Sequence, residues 1–180
     1  MSLEHKYCQL GTDLIVTDGA TIEGYASLFG KADQGGDTVE VGAYDQSLKI
    51  TAQKGGRIKM LWQHKPSEPI GVWDEVRADK KGLWVRGRIL TDVARGKEAA
   101  ALIEAGAIDG LSIGYRTIKA RKSDKGGRLL SELELWEVSL VTFPMLPEAR
   151  VGAKGDDPDG NALRELAAAF DNARSLMTPV

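Results

Sequence analysis

Between Ile108 and Ala120 the chain alternates with a period of two. That period fits a strand with two distinct faces and argues against a helix, whose faces repeat every 3.6 residues. Leu111, Ile113 and Tyr115 fall on one face, and Ser112, Gly114 and Arg116 on the other. A small hydroxyl flanked by Gly110 and Gly114 leaves room for another group to approach it. Glycines weaken a strand and need a reason, which a bend or close packing would also supply.

The same period recurs along the chain, between turn signals. Leu14-Ile15-Val16, Thr21 to Phe29 and Thr38 to Val41 suggest strands, with a Gly-rich loop over Lys31 to Asp37. Ile58 to His64, Ile70 to Ala78 and Leu83 to Leu90 suggest an antiparallel meander. In the first of these, Met60, Trp62 and His64 would share a face, and Lys65 to Pro69 would break the strand. A last strand runs from Leu129 to Phe143, with both faces mostly apolar from Leu135 to Val141. Such a run fits a barrel wall with a helix packed outside it.

Helical spacing is rarer. Ala43 to Ala52 suits one or two turns, with Tyr44 and Leu48 four apart. Val93 to Ala105 suits a longer helix, capped by Thr91 or Asp92 and stopped by Gly106. Its apolar positions include Ala99, Leu102 and Ile103. These elements predict an α+β, mainly β fold: an antiparallel barrel over residues 1–151, flanked by helices. Residues 152–160 have the composition of a linker. Residues 161–180 form a tail in which Leu163, Leu166, Phe170, Ala173 and Met177 recur at the spacing of an amphipathic helix.

Composition removes several function classes. The chain of 180 residues carries a net charge of −2, which argues against a large nucleic-acid footprint. No apolar run approaches the length that spans a membrane. The N-terminus has no apolar signal core. One cysteine, Cys8, fits a reducing compartment. With only His5 and His64 as histidines, neither a His/Cys metal centre nor any cofactor is expected.

The remaining chemistry is a serine, a histidine and a carboxylate on three separate strands. Ser112 would be a nucleophile, His64 its base and Glu137 the group that orients the base. Glu137 is in phase with Leu133 and Leu135, on a face that is otherwise apolar. A carboxylate there needs a partner. An imidazole N–H would serve; so would Arg86, Arg88 or Arg116. Asp109, Glu132 and Glu134 are other acids in reach. Cys8 lacks any glycine context and is set aside as a nucleophile.

Several motifs occur in a fixed order: Gly24-Tyr25-Ala26 with Phe29, Gly42-Ala43-Tyr44 with Ser47-Leu48, and Leu61-Trp62-Gln63-His64. Gly71-Val72-Trp73, Gly110 to Tyr115, and Glu137-Val138-Ser139-Leu140-Val141-Thr142-Phe143-Pro144 follow. Together they resemble the prohead, or capsid maturation, proteases of tailed phages and prophage-like particles. The resemblance runs from about residue 20 to 150. That family is similar to the herpesvirus assemblins, whose barrel is mainly antiparallel and surrounded by helices.

The resemblance implies a serine endopeptidase that acts through an acyl-enzyme. Its substrates would be scaffold segments and the major capsid protein precursor, cleaved inside the procapsid assembling in a bacterial host's cytoplasm. It places the histidine on His64 and the serine on Ser112. Assemblins carry a second histidine as third member; here Glu137 stands in that place. Self-cleavage and a homo-oligomer are compatible with the resemblance, with no nucleic-acid or membrane partner. The competing reading is a non-catalytic scaffold or structural component of the procapsid with the same barrel.

Overall fold

The structure is a computed structural model that describes residues 4–8, 15–17, 21–124 and 126–143. Among the described residues the order of elements is β1 (Glu4–Cys8), β2 (Ile15–Thr17), β3 (Thr21–Leu28), β4 (Thr38–Val39), α1 (Asp45–Gln53), β5 (Lys59–Trp62) and β6 (Lys65–Ala78). Then come β7 (Gly82–Ile89), α2 (Ala94–Glu104), β8 (Gly110–Lys122) and β9 (Arg128–Val141). The expected linker at 152–160 and helix at 161–180 lie outside the described residues.

All nine strands among the described residues belong to one sheet, in the order β1-β8-β9-β5-β6-β7-β3-β2, with β4 also on β9. The sheet curls until β3 approaches β8 and β1, which makes a half-barrel. The meander β5-β6-β7 is antiparallel, as the alternation suggested. The sheet as a whole is mixed, however, because β4 and β5 both run parallel to β9. Local alternation gives a strand's faces but not the direction of a partner far away in sequence, so this departure from an antiparallel barrel was hidden.

One edge of β9 is shared. β4 covers Leu129 and Leu130, and β5 covers Glu137 to Leu140. Between them α1 and its approach take over: Leu133 N–H donates to Ala43 O at 2.9 Å, and Leu135 N–H to the Ser47 hydroxyl at 2.9 Å. Buried backbone donors must be satisfied, and here a helix replaces a strand as partner. Tyr44, on which α1 opens, is fully buried.

The core lies inside the curl. Ile22, Val85, Ile70, Met60, Ile113, Leu111, Val138 and Leu140 are part of one apolar cluster. Trp73 crosses it and donates its indole N–H to Val138 O at 3.2 Å. α2 packs on β6 and β7 through Ala99 and Ile103. Leu102, expected on the buried side, is 37% exposed. The cap of α2 also differs: Val93 holds that place, with no side-chain hydrogen bond. Gly106 ends the helix with a φ of 68°, a left-handed turn that suits glycine.

Candidate active site

Ser112 and Glu137 meet because β8 and β9 are neighbours. Their register pairs Ser112 with Ser139 and Gly114 with Glu137. It then slips, and Tyr115 pairs with Leu135, which leaves Trp136 as one extra residue in β9. Directly opposed side chains share a face. Glu137 and Ser139 therefore stand on the face of Ser112, whereas Leu135 stands with Tyr115. The expectation that Glu137 is in phase with Leu135 fails at this bulge. Its need for a partner holds, since Glu137 is 3% exposed.

His64 arrives differently from expectation. It does not end a strand on the face of Met60 and Trp62. Gln63 and His64 form the two-residue link between β5 and β6, where Trp62 pairs with Lys65. Both have positive φ, 51° and 59°, as a primed hairpin turn requires. The segment Lys65 to Pro69, expected to break the chain, continues as β6. Left-handed backbone is uncommon for residues other than glycine and costs on the order of 1 kcal/mol or more each.

Contacts with β9 and with Thr142, just beyond its end, hold this turn in place. Gln63 N–H donates to Leu140 O at 2.9 Å, and its side-chain amide donates to the Thr142 hydroxyl at 2.6 Å. His64 N–H donates to the Ser139 hydroxyl at 3.1 Å. The imidazole is thereby carried back over β9 towards β8.

The three predicted residues come together. Ser112 Oγ lies 2.6 Å from His64 Nε2. His64 Nδ1 lies 2.6 Å from Glu137 Oε1. A carboxylate beside Nδ1 favours the tautomer protonated there, which leaves Nε2 free to accept the serine proton. The His64 side chain is 8% exposed, so bulk water screens this chain of contacts little. Such an arrangement can convert a serine hydroxyl into a nucleophile.

The alternative partners are engaged elsewhere. Arg88 binds Asp74 at 2.8 Å, Arg86 lies 3.6 Å from Glu23, and Arg116 pairs with Glu134. Glu132 pairs with Lys119. Cys8 closes β1, and its register partner is Leu111.

One residue escaped the sequence reading. Ser139 donates its hydroxyl to Glu137 Oε2 at 2.6 Å while accepting the His64 amide. It is fully buried. Its position two residues from Glu137, on the same strand face, was the available signal. Among the described residues no cluster of His, Cys, Asp and Glu stands where it could hold a metal ion. No described helix is long and apolar enough to cross a membrane.

The sequence model of the caudovirus prohead serine proteases matches residues 9–159. The chain belongs to this family. The prohead protease of Enterobacteria phage HK97 is 33% identical over 134 residues, which are 73% of this chain and 58% of that protein. The capsid polyprotein of Pseudomonas phage PAJU2 is 33% identical over 119 residues, 59% of this chain but 18% of the polyprotein. The matches thus span less than two thirds of either relative's length. The solved capsid assembly protease of bacteriophage T4 shares the fold, with a TM-score of 0.63 at 16% identity. That superposition covers 79% of this chain and 98% of the other. The prohead-protease half-barrel thus places Ser112, His64 and Glu137 side by side.

Proposed function

We propose that this protein is a serine endopeptidase that cleaves scaffold and capsid-protein segments during prohead maturation. The observation that carries the reading is the continuous line from Ser112 Oγ through His64 to Glu137, with 2.6 Å at each step. Membership of the prohead serine protease family and the fold shared with the T4 capsid assembly protease support it.

In this mechanism His64 Nε2 takes the Ser112 proton as Oγ attacks the scissile carbonyl. Glu137 stabilises the imidazolium that forms and does not itself become protonated. The imidazolium then gives its proton to the leaving amine, and an acyl-enzyme on Ser112 remains. Water, deprotonated by the same His64 Nε2, releases the acyl group and restores the serine. The substrates are the capsid protein precursor and scaffold segments, within the procapsid of a bacterial host. Residues 152–160, which have the composition of a linker, are a candidate place for self-cleavage.

The test is a fluorophosphonate probe followed by peptide mapping, together with incubation with capsid protein precursor. Labelling at Ser112 and discrete cleavage are expected, both absent from Ser112→Ala. An unlabelled Ser112 in folded protein would leave the half-barrel as a structural component of the procapsid.

A further inference from the structure

On the face of the sheet that carries Ser112, a groove of about 560 Å³ opens between α1 and the neighbouring parts of β8 and β9. It starts one residue from the triad. Trp136, the extra residue of the bulge, lines it and directly precedes Glu137. Lys59, another lining residue, is the register partner of Glu137 on β5. Arg116 lies four residues along β8 from Ser112, roughly 13 Å at the rise of a strand.

The lining has two chemistries. Trp136, Ile118 and Ile50 are 46%, 45% and 37% exposed and give it an apolar floor. Lys54, Arg57 and Lys59 stand exposed around it; none makes a salt bridge among the described residues, and Arg57 also feels a neighbouring carboxylate, that of Asp74. The acidic side chains of the groove are already spent on cations: Glu134 on Arg116 and Glu132 on Lys119. Its unmatched charge is therefore positive. An aromatic side chain ringed by cations is the composition of a recognition surface. The bulge that turns Glu137 towards His64 is the same feature that leaves Trp136 outside the core.

We propose that this groove is a substrate subsite, taking an apolar side chain flanked by carboxylates, two to four residues from the bond that Ser112 attacks. The distance sets the count: an extended peptide advances about 3.3 Å per residue, so such a residue reaches from Trp136 to Arg116. The inference rests on the protease reading and names the kind of sequence that reading requires.

The experiment digests a mixed peptide library and reads the cleavage products by mass spectrometry. The wild-type chain is expected to select Leu, Ile or Phe beside Asp or Glu at the second to fourth residue from the cut. Preference for acidic over basic flanks should exceed tenfold. Lys54→Glu with Arg57→Glu should invert that ratio, which a merely damaged protein cannot do. Trp136→Ala should erase the apolar preference. An acidic preference unchanged by the charge reversal overturns the subsite and leaves the protease standing. Wild-type protein that neither cuts the library nor takes a fluorophosphonate at Ser112 overturns both. A dimer that Trp136→Ala dissociates in sedimentation would make the groove a contact between copies, and so also overturn the proposal.

Discussion

The carboxylate of Glu137 lies over the bare Cα of Gly114. A methyl group added to Gly114 would sit 2.0 Å from Glu137 Oε1, the oxygen that faces His64. The glycine beside Ser112 is thus needed for close approach, not for an unusual backbone angle. Gly114→Ala must displace the carboxylate from its place beside Nδ1, since the added methyl group would also lie 2.7 Å from Glu137 Cδ and 2.8 Å from Cγ. Overpacking of this kind costs about 1–3 kcal/mol of stability. The expected result is loss of most peptidase activity, about 100-fold or more, in a protein that still folds. Melting curves and Ser112 labelling measured side by side check it. Full labelling of Gly114→Ala would show that Glu137 does not have to stand there.

Ser139 holds two parts of the site at once, since it donates to Glu137 Oε2 and accepts from His64 N–H. Ser139→Ala removes both contacts and leaves a buried carboxylate oxygen short of a donor. A drop of about 10–100-fold in kcat is expected, with KM nearly unchanged, because the residue supports the base and touches no substrate. Ser139→Thr keeps the hydroxyl and should recover much of the loss. Equal kcat in the alanine variant and the wild type would reduce Ser139 to filler.

Much of this arrangement was legible in the chain. Period-two alternation located β8 and β9, and the glycines marked Ser112 as approachable. Besides Ser139 and the parallel pairing on β9, two local features of the site were hidden, and both are irregularities. The bulge at Trp136 reverses which face Glu137 takes, and no local pattern distinguishes an extra residue from an ordinary one. The hairpin at Gln63-His64 lacks the Asn or Gly that usually signals a primed turn. Its strain is held by contacts with Leu140, Thr142 and Ser139, all about 75 residues or more away in sequence. Long-range hydrogen bonds of that kind leave no trace in a local window. The three side chains thus meet as the sequence led one to expect, whereas the faces expected for His64 and Glu137 differ from those observed.

Glu137→Gln separates charge from shape. The amide can still occupy the space beside Gly114, but it offers His64 Nδ1 a weaker acceptor and can present an N–H in its place. The imidazole then loses both its favoured tautomer and the anion that stabilises its charged form. Activity should fall about 10²–10⁴-fold without vanishing, because the third member makes no bond to substrate. Progress curves on capsid protein precursor measure the residue. Unchanged turnover would move the third role to another acid, with Asp109 the next to substitute.

The β6–β7 turn provides a prediction about pH that is independent of the active site. Burial disfavours the charged form of Asp79, yet hydrogen bonds outweigh it and hold the carboxyl at about 2, below its ordinary value of 3.8. Tyr25 OH donates at 2.8 Å, Lys81 N–H at 2.7 Å, Gly82 N–H at 3.1 Å and Arg77 at 2.9 Å. A depressed carboxyl contributes stability above its unfolded pKa, and that stability is lost as pH falls through the folded value. The window is therefore from about pH 4 down to about pH 2. The side chain is 26% exposed, so screening reduces its worth to about 1–2 kcal/mol. Asp79→Asn keeps an oxygen for the two backbone donors and removes the charge. Urea unfolding of both proteins between pH 5.5 and pH 2.5 should show the wild-type advantage shrinking as the acid side is approached. Parallel curves across that range would mean that Asp79 shapes the turn without its charge stabilising the fold.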